Sequence, residues 1–428
     1  MNTIAALTTL NFLMADVRDG LGPYLAIFLQ GEKWSPVDIG LVLTIGGLAG
    51  MIATTPMGAF VDATRQKRLV TIGAGLAVTA ACLAIYLHPT FAVVTVSQIL
   101  TGIVGAVIPP AIAAMTLGIV GPKEFSHQIG RNEAANHGGN VVAAVACAGF
   151  SYLIGIQAVF FVMIAMAVGS IAATLAIKES EIDHDVARGL DKAGSETREG
   201  EQKSGFAVLL KTPALLVFGV ILMLFHFGNA AMLPLVGQRI VALGLGNAVF
   251  WTSVAVIVAQ AVMVPMALLA ARIAERYGYT PLMLAALIAL PVRGVVAVAT
   301  PEAWIAIPVQ VLDGIGAGIL GVVTPALVVR ILRGTGRFNV GLGAVMTVQA
   351  IGASFSPTAA GFMVENGKTW LSALGVEVGF TGYGVAFLGL GAAALVALVV
   401  FFASMRMLPL EPEGGHVRGG ATPTPAPA

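Results

Sequence analysis

Long apolar stretches recur along the whole chain, and they constrain the fold more than any other feature. A helix needs about 20 mostly apolar residues to span a bilayer, and about twelve such segments succeed one another here. Only 11% of the 428 residues are charged, whereas soluble domains carry about 25%. The sequence therefore predicts an all-α integral membrane protein. The predicted spans are approximately 4–29, 36–60, 68–88, 91–119, 129–155, 157–177, 212–237, 245–273, 279–300, 303–332, 338–364 and 380–405.

Two polar segments divide the chain into regions. The stretch from Lys178 to about Gly205 is polar and mixed in sign, which is typical of a flexible or weakly helical linker. The tail from Glu411 to Ala428 is rich in Gly, Pro and Thr, which predicts disorder. We therefore predict four regions: an N-terminal six-helix bundle over 1–177, a cytoplasmic linker over 178–206, a C-terminal six-helix bundle over 207–408 and a cytoplasmic tail over 409–428.

Basic residues are concentrated in alternate loops, and this asymmetry predicts the orientation. The loops after the even-numbered spans carry most of the Lys and Arg, whereas the opposite loops carry Lys33, Arg239 and Lys368. Short cytoplasmic loops are the ones that retain an excess of positive charge. Both termini and the linker are therefore assigned to the cytoplasm, with the protein in the cytoplasmic (inner) membrane. The N-terminus lacks a basic region and a small-residue cleavage site, so it is interpreted as the first span.

The two halves of the chain resemble each other at an offset of 212 residues. Span four contains Gln98-Ile-Leu-Thr101-Gly102, and span ten contains Gln310-Val-Leu-Asp313-Gly314. Pro23 and Pro234 also correspond, as do the polar segments that follow spans two and eight. Such internal symmetry is typical of transporters. It predicts a pair of similar helix bundles with a cavity between them.

The loop after span two links this chain to a known family. Gly58, Asp62 and Lys67 stand as in the signature Gly-x-x-x-Asp-x-x-Gly-Arg-Lys of the major facilitator superfamily, although Arg65 replaces the usual glycine. The chain resembles this family over everything but the tail. The resemblance implies twelve transmembrane helices in two pseudo-symmetric six-helix bundles. It also implies alternating access, in which the bundles rock about a central site.

In this family the loop is a conformational latch, and the resemblance implies that role here. A carboxylate at a helix end can pair with a basic side chain or a helix N-terminus, and such a pair holds two bundles together in one state only. The alternative is that the basic residues merely enforce topology. The residues predicted to form this cytoplasmic gate are Gly58, Asp62, Arg65, Lys67, Arg68, Arg131, Glu275, Arg276 and Gly278.

Three ionisable residues, Asp16, Arg18 and Asp19, lie in the middle of the first span. A charge near the bilayer centre costs roughly 2.5–3.5 kcal/mol on insertion scales, so such residues usually face a protein interior or a wet cavity. Asp16 and Asp19 share a helix face, and a buried carboxylate with a like neighbour favours its protonated form. One of them could therefore take up and release a proton during transport. The alternative is a static cluster of paired charges that fixes helix packing.

Other polar residues fall at membrane depth in later spans. Arg293 and Asp313 predict either an ion pair between adjacent helices or direct binding of an anionic or zwitterionic solute. The uncharged groups are either contacts between helices or parts of a partly polar cavity: His137, Asn140, His226, Asn229, Gln260, Gln310 and Gln349. The residues predicted for substrate binding or proton coupling are Asp16, Arg18, Asp19, His137, Asn140, His226, Asn229, Arg293, Gln310 and Asp313.

Several motifs are absent from the sequence, and their absence argues against some classes of function. There is no Walker motif and no enzyme signature, and the two cysteines fit no metal-ligand spacing. We therefore predict no enzyme activity and no cofactor, and the net charge of +1 gives no argument for nucleic-acid binding. We predict a monomeric secondary active transporter of a small solute in the lipid bilayer, coupled to protons and with export slightly favoured. An uncoupled facilitator or uptake permease stays open, as does a non-transporting receptor on the same scaffold.

Two features argue against one subclass of the family. Many proton-linked drug exporters carry an arginine in span four, where this chain has Gln98. Their span five carries Gly-Pro, whereas the corresponding segment here is His137-Gly-Gly-Asn140. A drug:proton antiporter is therefore a weaker interpretation than a transporter of some other solute.

Overall fold

The secondary structure is helical throughout the part of the chain that the computed structural model describes, which is residues 2–18, 21–188, 209–333, 338–373 and 382–412. Four short 3₁₀ turns accompany the α-helices in these ranges. The α-helices are α1 (Thr3–Arg18), α2 (Tyr24–Gly31), α3 (Pro36–Ala63), α4 (Lys67–Leu87), α5 (Phe91–Gly105), α6 (Ile108–Ile154), α7 (Gln157–Ala176), α8 (Pro213–Asn229), α9 (Met232–Ala242), α10 (Ala248–Tyr277), α11 (Thr280–Val298), α12 (Ala306–Ile331), α13 (Phe338–Ala373) and α14 (Gly382–Ser404).

Within the described ranges, eleven helical stretches are long and apolar enough to cross a membrane. They agree with predicted spans two to twelve, which confirms the all-α membrane fold. The first predicted span does not meet the length criterion, because α1 ends at Arg18 and α2 begins only at Tyr24. Gly22 lies between them with a φ of 47°, a conformation that glycine adopts without strain. Pro23 follows and cannot donate a helical hydrogen bond.

Other breaks in the helices follow the same local chemistry. Predicted span four is divided between α5 and the start of α6, and α6 continues through predicted span five. Within α6, Gly121 departs from helical geometry with a φ of 72°. Pro122 comes directly after it. In the second half, α8 and α9 are separated by Ala230 and Ala231. Spans one and seven are therefore both interrupted near their middle, at equivalent positions in the two halves.

The packing of the helices repeats between the halves. In the first half α1 packs on α6 and α7, and α3 packs on α5. In the second half α8 packs on α13 and α14, and α10 packs on α12. Gly102 of α5 brings its backbone against Gly46 of α3, and Gly314 of α12 does the same against Ala259 of α10. Because small residues let helix backbones approach closely, the 212-residue repeat in the sequence reappears as the same contact in each half.

The most extensive helix contacts between the halves are those of α3 with α13, α6 with α10, and α2 with α9. A Cβ on Gly40 would collide with the carbonyl of Pro357, and one on Gly361 would collide with the carbonyl of Pro36. The hydroxyls of Thr44 and Thr358 lie 2.7 Å apart. These contacts form a backbone-to-backbone seam between α3 and α13.

Two further hydrogen bonds between the halves lie toward the same end of the molecule. Asn247 Nδ2 donates to Ser151 Oγ at 2.9 Å, and the Tyr24 and Ser253 hydroxyls are 2.8 Å apart. Together with the α3–α13 seam, these contacts lie beside the loops 32–35 and 243–247. We call this end of the molecule the closed end.

Candidate functional site

A cavity of about 250 Å³ lies between the two halves, near the middle of the long helices. Both halves contribute to its wall: α1, α2 and α6 from the first, and α9, α10 and α12 from the second. Its described lining consists of Ala15, Asp16, Leu21, Gly22, Pro23, Tyr24, Asn140, Ala143, Ala144, Leu233, Val256, Ala259, Gln260, Met263 and Asp313.

Asp16 reaches this cavity because of how α1 ends and packs. It lies in the last turn of α1, just before the break at Leu21–Pro23, and its side chain is half-buried. On α6, Gly139 lets its backbone meet the carbonyl of Phe12, one turn before Asp16. The part of the same interface nearer the N-terminus of α1 is polar, because Gln128 Nε2 donates to Thr8 Oγ1 at 3.2 Å. The first half thus holds one carboxylate at the edge of an interrupted helix.

Asp313 supplies the second carboxylate, and it is held by a buried ion pair. Arg293 Nη1 of α11 donates to Asp313 Oδ1 of α12 at 2.8 Å and to Asn229 Oδ1 of α8 at 2.6 Å. The amide of Gln310, oriented to satisfy both neighbours, donates to Asp313 Oδ2 at 3.1 Å and accepts from Arg293 Nη2 at 2.9 Å. Four polar side chains from three helices therefore form one connected network.

The two charges of this network differ in their exposure. The Arg293 side chain is 1% exposed, whereas that of Asp313 is 19% exposed and lines the cavity. Arg293 therefore lies behind Asp313 as seen from the cavity. The Nε atom of Arg293 is buried and has no hydrogen-bond partner among the described residues. The pair is neutral as a whole, but it presents its negative end to the cavity.

The structure separates the predicted binding residues into three groups. Asp16, Asn140 and Asp313 line the cavity, while Arg293, Asn229 and Gln310 support Asp313 from behind. The two histidines are not among the described lining residues: His226 Nδ1 bonds the Leu222 carbonyl of its own helix at 2.8 Å, and His137 Nδ1 is buried without a described partner. The side chain of Arg18 and the whole of Asp19 lie outside the described residues.

One lining residue, Tyr24, was not singled out from the sequence. It begins α2 directly after the break, it is 7% exposed, and its hydroxyl bonds Ser253 across the two halves. Its position after Gly22-Pro23 was the available signal, because a side chain that follows a helix break at membrane depth is turned toward the interior.

The predicted gate residues lie at the ends of helices away from the closed end. Arg68 donates from Nε to the Thr174 carbonyl (3.2 Å), from Nη2 to the Leu175 carbonyl (3.0 Å) and from Nη1 to Glu179 (3.2 Å). Those partners lie at the end of α7 and just after it, within the same half. Lys67 is fully buried, and its Nζ donates to the Thr64 carbonyl at 2.7 Å. Five of the predicted gate residues are exposed: Asp62, Arg65, Arg131, Glu275 and Arg276.

The two glycines of the predicted gate have different surroundings. Gly58 has open space where a Cβ would stand. Gly278 has a φ of 76°, and the backbone of Leu410 and Glu411 crosses directly over it. Tyr279 N donates to the Leu410 carbonyl at 2.7 Å, and Arg330 Nη1 donates to the Glu411 carbonyl. Gly278 thereby allows the chain that follows α14 to pack across the start of α11.

Comparisons with known proteins agree with this architecture. A sequence model of the Major Facilitator Superfamily matches residues 5–357. The uncharacterized MFS-type transporter Rv2456c of Mycobacterium tuberculosis strain H37Rv is 41% identical over 401 residues, which cover 94% of this chain and 92% of that protein.

Solved structures show the same fold at low sequence identity. A mutant of the nucleoside transporter NupG superposes with a TM-score of 0.75 at 13% identity, over 95% of this chain and 100% of that one. A bacterial homologue of the human lysosomal transporter Spinster, in an inward-facing and unoccupied conformation, gives a TM-score of 0.67 at 15% identity over 95% and 96%. These likenesses concern the fold and leave the chemistry of the cavity to be argued from its own residues.

Proposed function

Because this chain belongs to the major facilitator superfamily, we propose that it is a secondary active transporter that moves a small solute by alternating access and couples that movement to protons. The observation that carries the proposal is the cavity at membrane depth, to which each half contributes one carboxylate, Asp16 and Asp313. Ionisable residues inside a membrane are costly and mark solute pathways and proton relays. A receptor on the same scaffold would have no need of them.

The Arg293–Asp313 pair offers a physical route to proton coupling. Protonation of Asp313 would remove the negative charge that compensates Arg293, and a buried charge without its partner costs about 3–5 kcal/mol. Asn229 and the Gln310 amide would remain as neutral acceptors around the guanidinium. The network would then favour a different arrangement of α8, α11 and α12, the three helices that it joins. A proton that binds one arrangement better than another shifts the equilibrium between them.

The contacts between the halves support alternating access. The seam of Gly40, Pro357 and Gly361 seals the closed end, which the distribution of basic residues assigns to the outside. We propose that the structure represents the state closed on the outside. The return to the outward-open state would separate α3 from α13 along this seam.

We propose export as the direction of transport, on the premise that the solute and the proton compete for Asp313. One would then leave as the other binds, and such exchange uses an inward proton gradient to move solute outward. Uptake with a proton would instead require both to be bound at once, one at Asp16 and the other at Asp313.

Flux measurements in proteoliposomes would test this proposal. The purified full-length protein would be reconstituted and supplied with a broad panel of labelled solutes, with and without an imposed pH gradient. We expect at least one solute to accumulate only with the gradient, and we expect Asp16→Asn or Asp313→Asn to reduce that accumulation at least about tenfold. Glu302→Gln, a carboxylate exposed at a loop, should behave like the wild type.

Two outcomes would contradict the proposal in different ways. Accumulation of a solute to equilibrium only, unchanged by the gradient and by both aspartate variants, would indicate an uncoupled facilitator. Absence of flux for every solute from protein that is folded and reconstituted would indicate a membrane receptor.

A further inference from the structure

We infer that the transported solute is a small organic cation, namely a primary or secondary amine with a short apolar body. This inference rests on the proposed function, because it takes the cavity between the halves as the transport site. Three properties of the cavity support this inference. They are the sign of the charges in its wall, a hydrogen-bond acceptor without a described partner, and the small volume left beside the apolar lining residues.

The described wall is negative where it is charged. Asp16 and Asp313 are its charged residues, and no described lining residue is cationic. Arg293 is withdrawn behind Asp313 at 1% exposure, so the ion pair acts on the cavity as a dipole with its negative end inward. In a site of low dielectric constant such a field is far stronger than in water. A cation is attracted to the Asp313 end of this wall, whereas an anion there would face a carboxylate with no cationic side chain among the described lining residues.

A neutral acceptor in the wall requires a donor. The Oε1 atom of Gln260 is buried and has no hydrogen-bond partner among the described residues, and Gln260 lines the cavity. A buried polar atom without a partner costs free energy that a partner recovers. An N–H group of a ligand held beside Asp313 or Asp16 would supply that partner once the Gln260 side chain turns its Oε1 toward the cavity. This requirement selects a primary or secondary amine over a quaternary ammonium ion, which has no N–H to donate.

The remainder of the wall limits the rest of the solute. A volume of about 250 Å³ lies below the roughly 300–1,000 Å³ of sites for drug-sized ligands. Leu21, Leu233, Val256 and Met263 make much of the remaining wall apolar. The cavity therefore suits a charged amine head with a single small ring or short alkyl chain.

Three probes of one shape would test the class of ligand. They are 2-phenylethylamine, which is a cation at neutral pH, 2-phenylethanol, which is neutral, and 3-phenylpropanoate, which is an anion. Binding to the detergent-purified full-length protein would be measured by calorimetry at pH 7. We expect the amine to bind and the alcohol and the acid to bind at least about tenfold more weakly. The amine should also be the only one of the three that inhibits gradient-driven flux.

Variants locate that binding in the cavity. Asp313→Asn and Gln260→Leu should each weaken amine binding, by at least about tenfold and several-fold respectively. Gln238→Leu is the matched control, since Gln238 also has a buried Oε1 without a described partner but is not among the described lining residues. If Asp313→Asn fails to fold, the paired change Arg293→Gln with Asp313→Asn keeps the network neutral and should show the same loss.

The outcomes separate this inference from the proposed function. If the alcohol or the acid bound more tightly than the amine, with the same sensitivity to Asp313→Asn, the inference that the solute is a cation would be wrong. The assignment of the cavity as the transport site would still stand. Amine binding that none of the cavity variants changes would place the amine elsewhere and overturn the inference. Binding of none of the probes would overturn it too, while gradient-driven flux of another solute would still uphold transport.

Discussion

At the scale of single residues, the buried pair Arg293–Asp313 is expensive and therefore informative. Moving two charges out of water costs about as much as their attraction returns, so such a pair is weak evidence for stability. Its partners come from three helices: Asn229 on α8, Arg293 on α11, and Gln310 with Asp313 on α12. Thr101 occupies the position of Asp313 in the first half. The carboxylate of Asp313 is therefore present in only one of the two repeated halves. A charge that the repeat does not share is the pattern expected of a functional residue.

The pair gives a prediction for stability. Asp313→Ala should destabilise the protein by about 3–5 kcal/mol, because it leaves a buried guanidinium without its counter-charge. The double change Arg293→Met with Asp313→Leu should recover most of that loss, since apolar residues of similar volume can replace a buried pair. Thermal unfolding of the detergent-purified variants would measure both. A double variant less stable than Asp313→Ala would show that the pair itself contributes net stability.

Arg68 gives a second prediction at this scale. Its guanidinium donates to two carbonyls at the end of α7 and to Glu179, and a basic group there satisfies carbonyls that the helix leaves open. Arg68→Ala should lower stability by about 1–2 kcal/mol. Arg68→Lys should retain only part of this stability, because an ammonium group lacks the planar fork of donors.

The neighbouring Arg65 is the control for this change. It is exposed, and surface substitutions usually stay within about 0.5 kcal/mol of the wild type. Equal unfolding temperatures for Arg65→Ala and Arg68→Ala would contradict the structural role of Arg68.

At the scale of helices, the seam between α3 and α13 depends on residues without side chains. Gly40 and Gly361 stand where a Cβ would meet the backbone of the opposite helix. Pro357 lies inside α13 and cannot donate to its own helix, and Thr358 N donates across the seam to Thr44 Oγ1 at 3.3 Å. Small residues and hydroxyls let the backbones of two helices approach closely. They also leave few side-chain contacts to break when the helices separate.

The seam predicts the effect of a larger residue. Gly40→Leu should push α3 away from α13 and hold the closed end apart. Spin labels on cysteines introduced at Lys33 and Lys368, both exposed at this end, would report the distance in a chain without Cys82 and Cys147. We expect the mean distance to rise by several ångström. Gly73→Leu, at a glycine with open space around it, should leave the distance unchanged, and a rise in both variants would refute the role of the seam.

At the scale of the whole molecule, the arrangement of the loops predicts an orientation. The basic loops lie at the ends of helices away from the closed end, and cytoplasmic loops retain positive charge. A cysteine at Lys33 should react with a membrane-impermeant maleimide in intact cells. A cysteine at Arg65 should react only after the membrane is permeabilised. If the cysteine at position 65 were labelled in intact cells and the one at position 33 were not, the topology would be the reverse of the one proposed. The proposed direction of transport would then be reversed too.

Much of the architecture could be predicted from the sequence, because the signal for a membrane helix is local. Spans two to twelve appear where apolar length placed them, and the interruption of the first span falls at Gly22 and Pro23. Gly102 and Gly314, which end the repeated Gln-x-x-x-Gly segments, make equivalent close contacts in the two halves.

The candidate site could be predicted only in part. Asp16 and Asp313 stood out because a charge is rare at membrane depth, and both reach the cavity. The sequence could not show that Arg293 is hidden behind Asp313, or that His226 turns to its own helix. Tyr24 was also overlooked, although its position directly after Gly22 and Pro23 was the available signal.

The sequence by itself determined that this chain spans a membrane many times, in two related halves, with a few costly charges at membrane depth. Apolar length and repetition can be read along one dimension, because each helix satisfies its own backbone inside the bilayer. Only the tertiary structure decided which of those charges share a cavity and which sign faces it. That choice depends on how α8, α11 and α12 rotate against one another, and helix packing in three dimensions fixes the rotation.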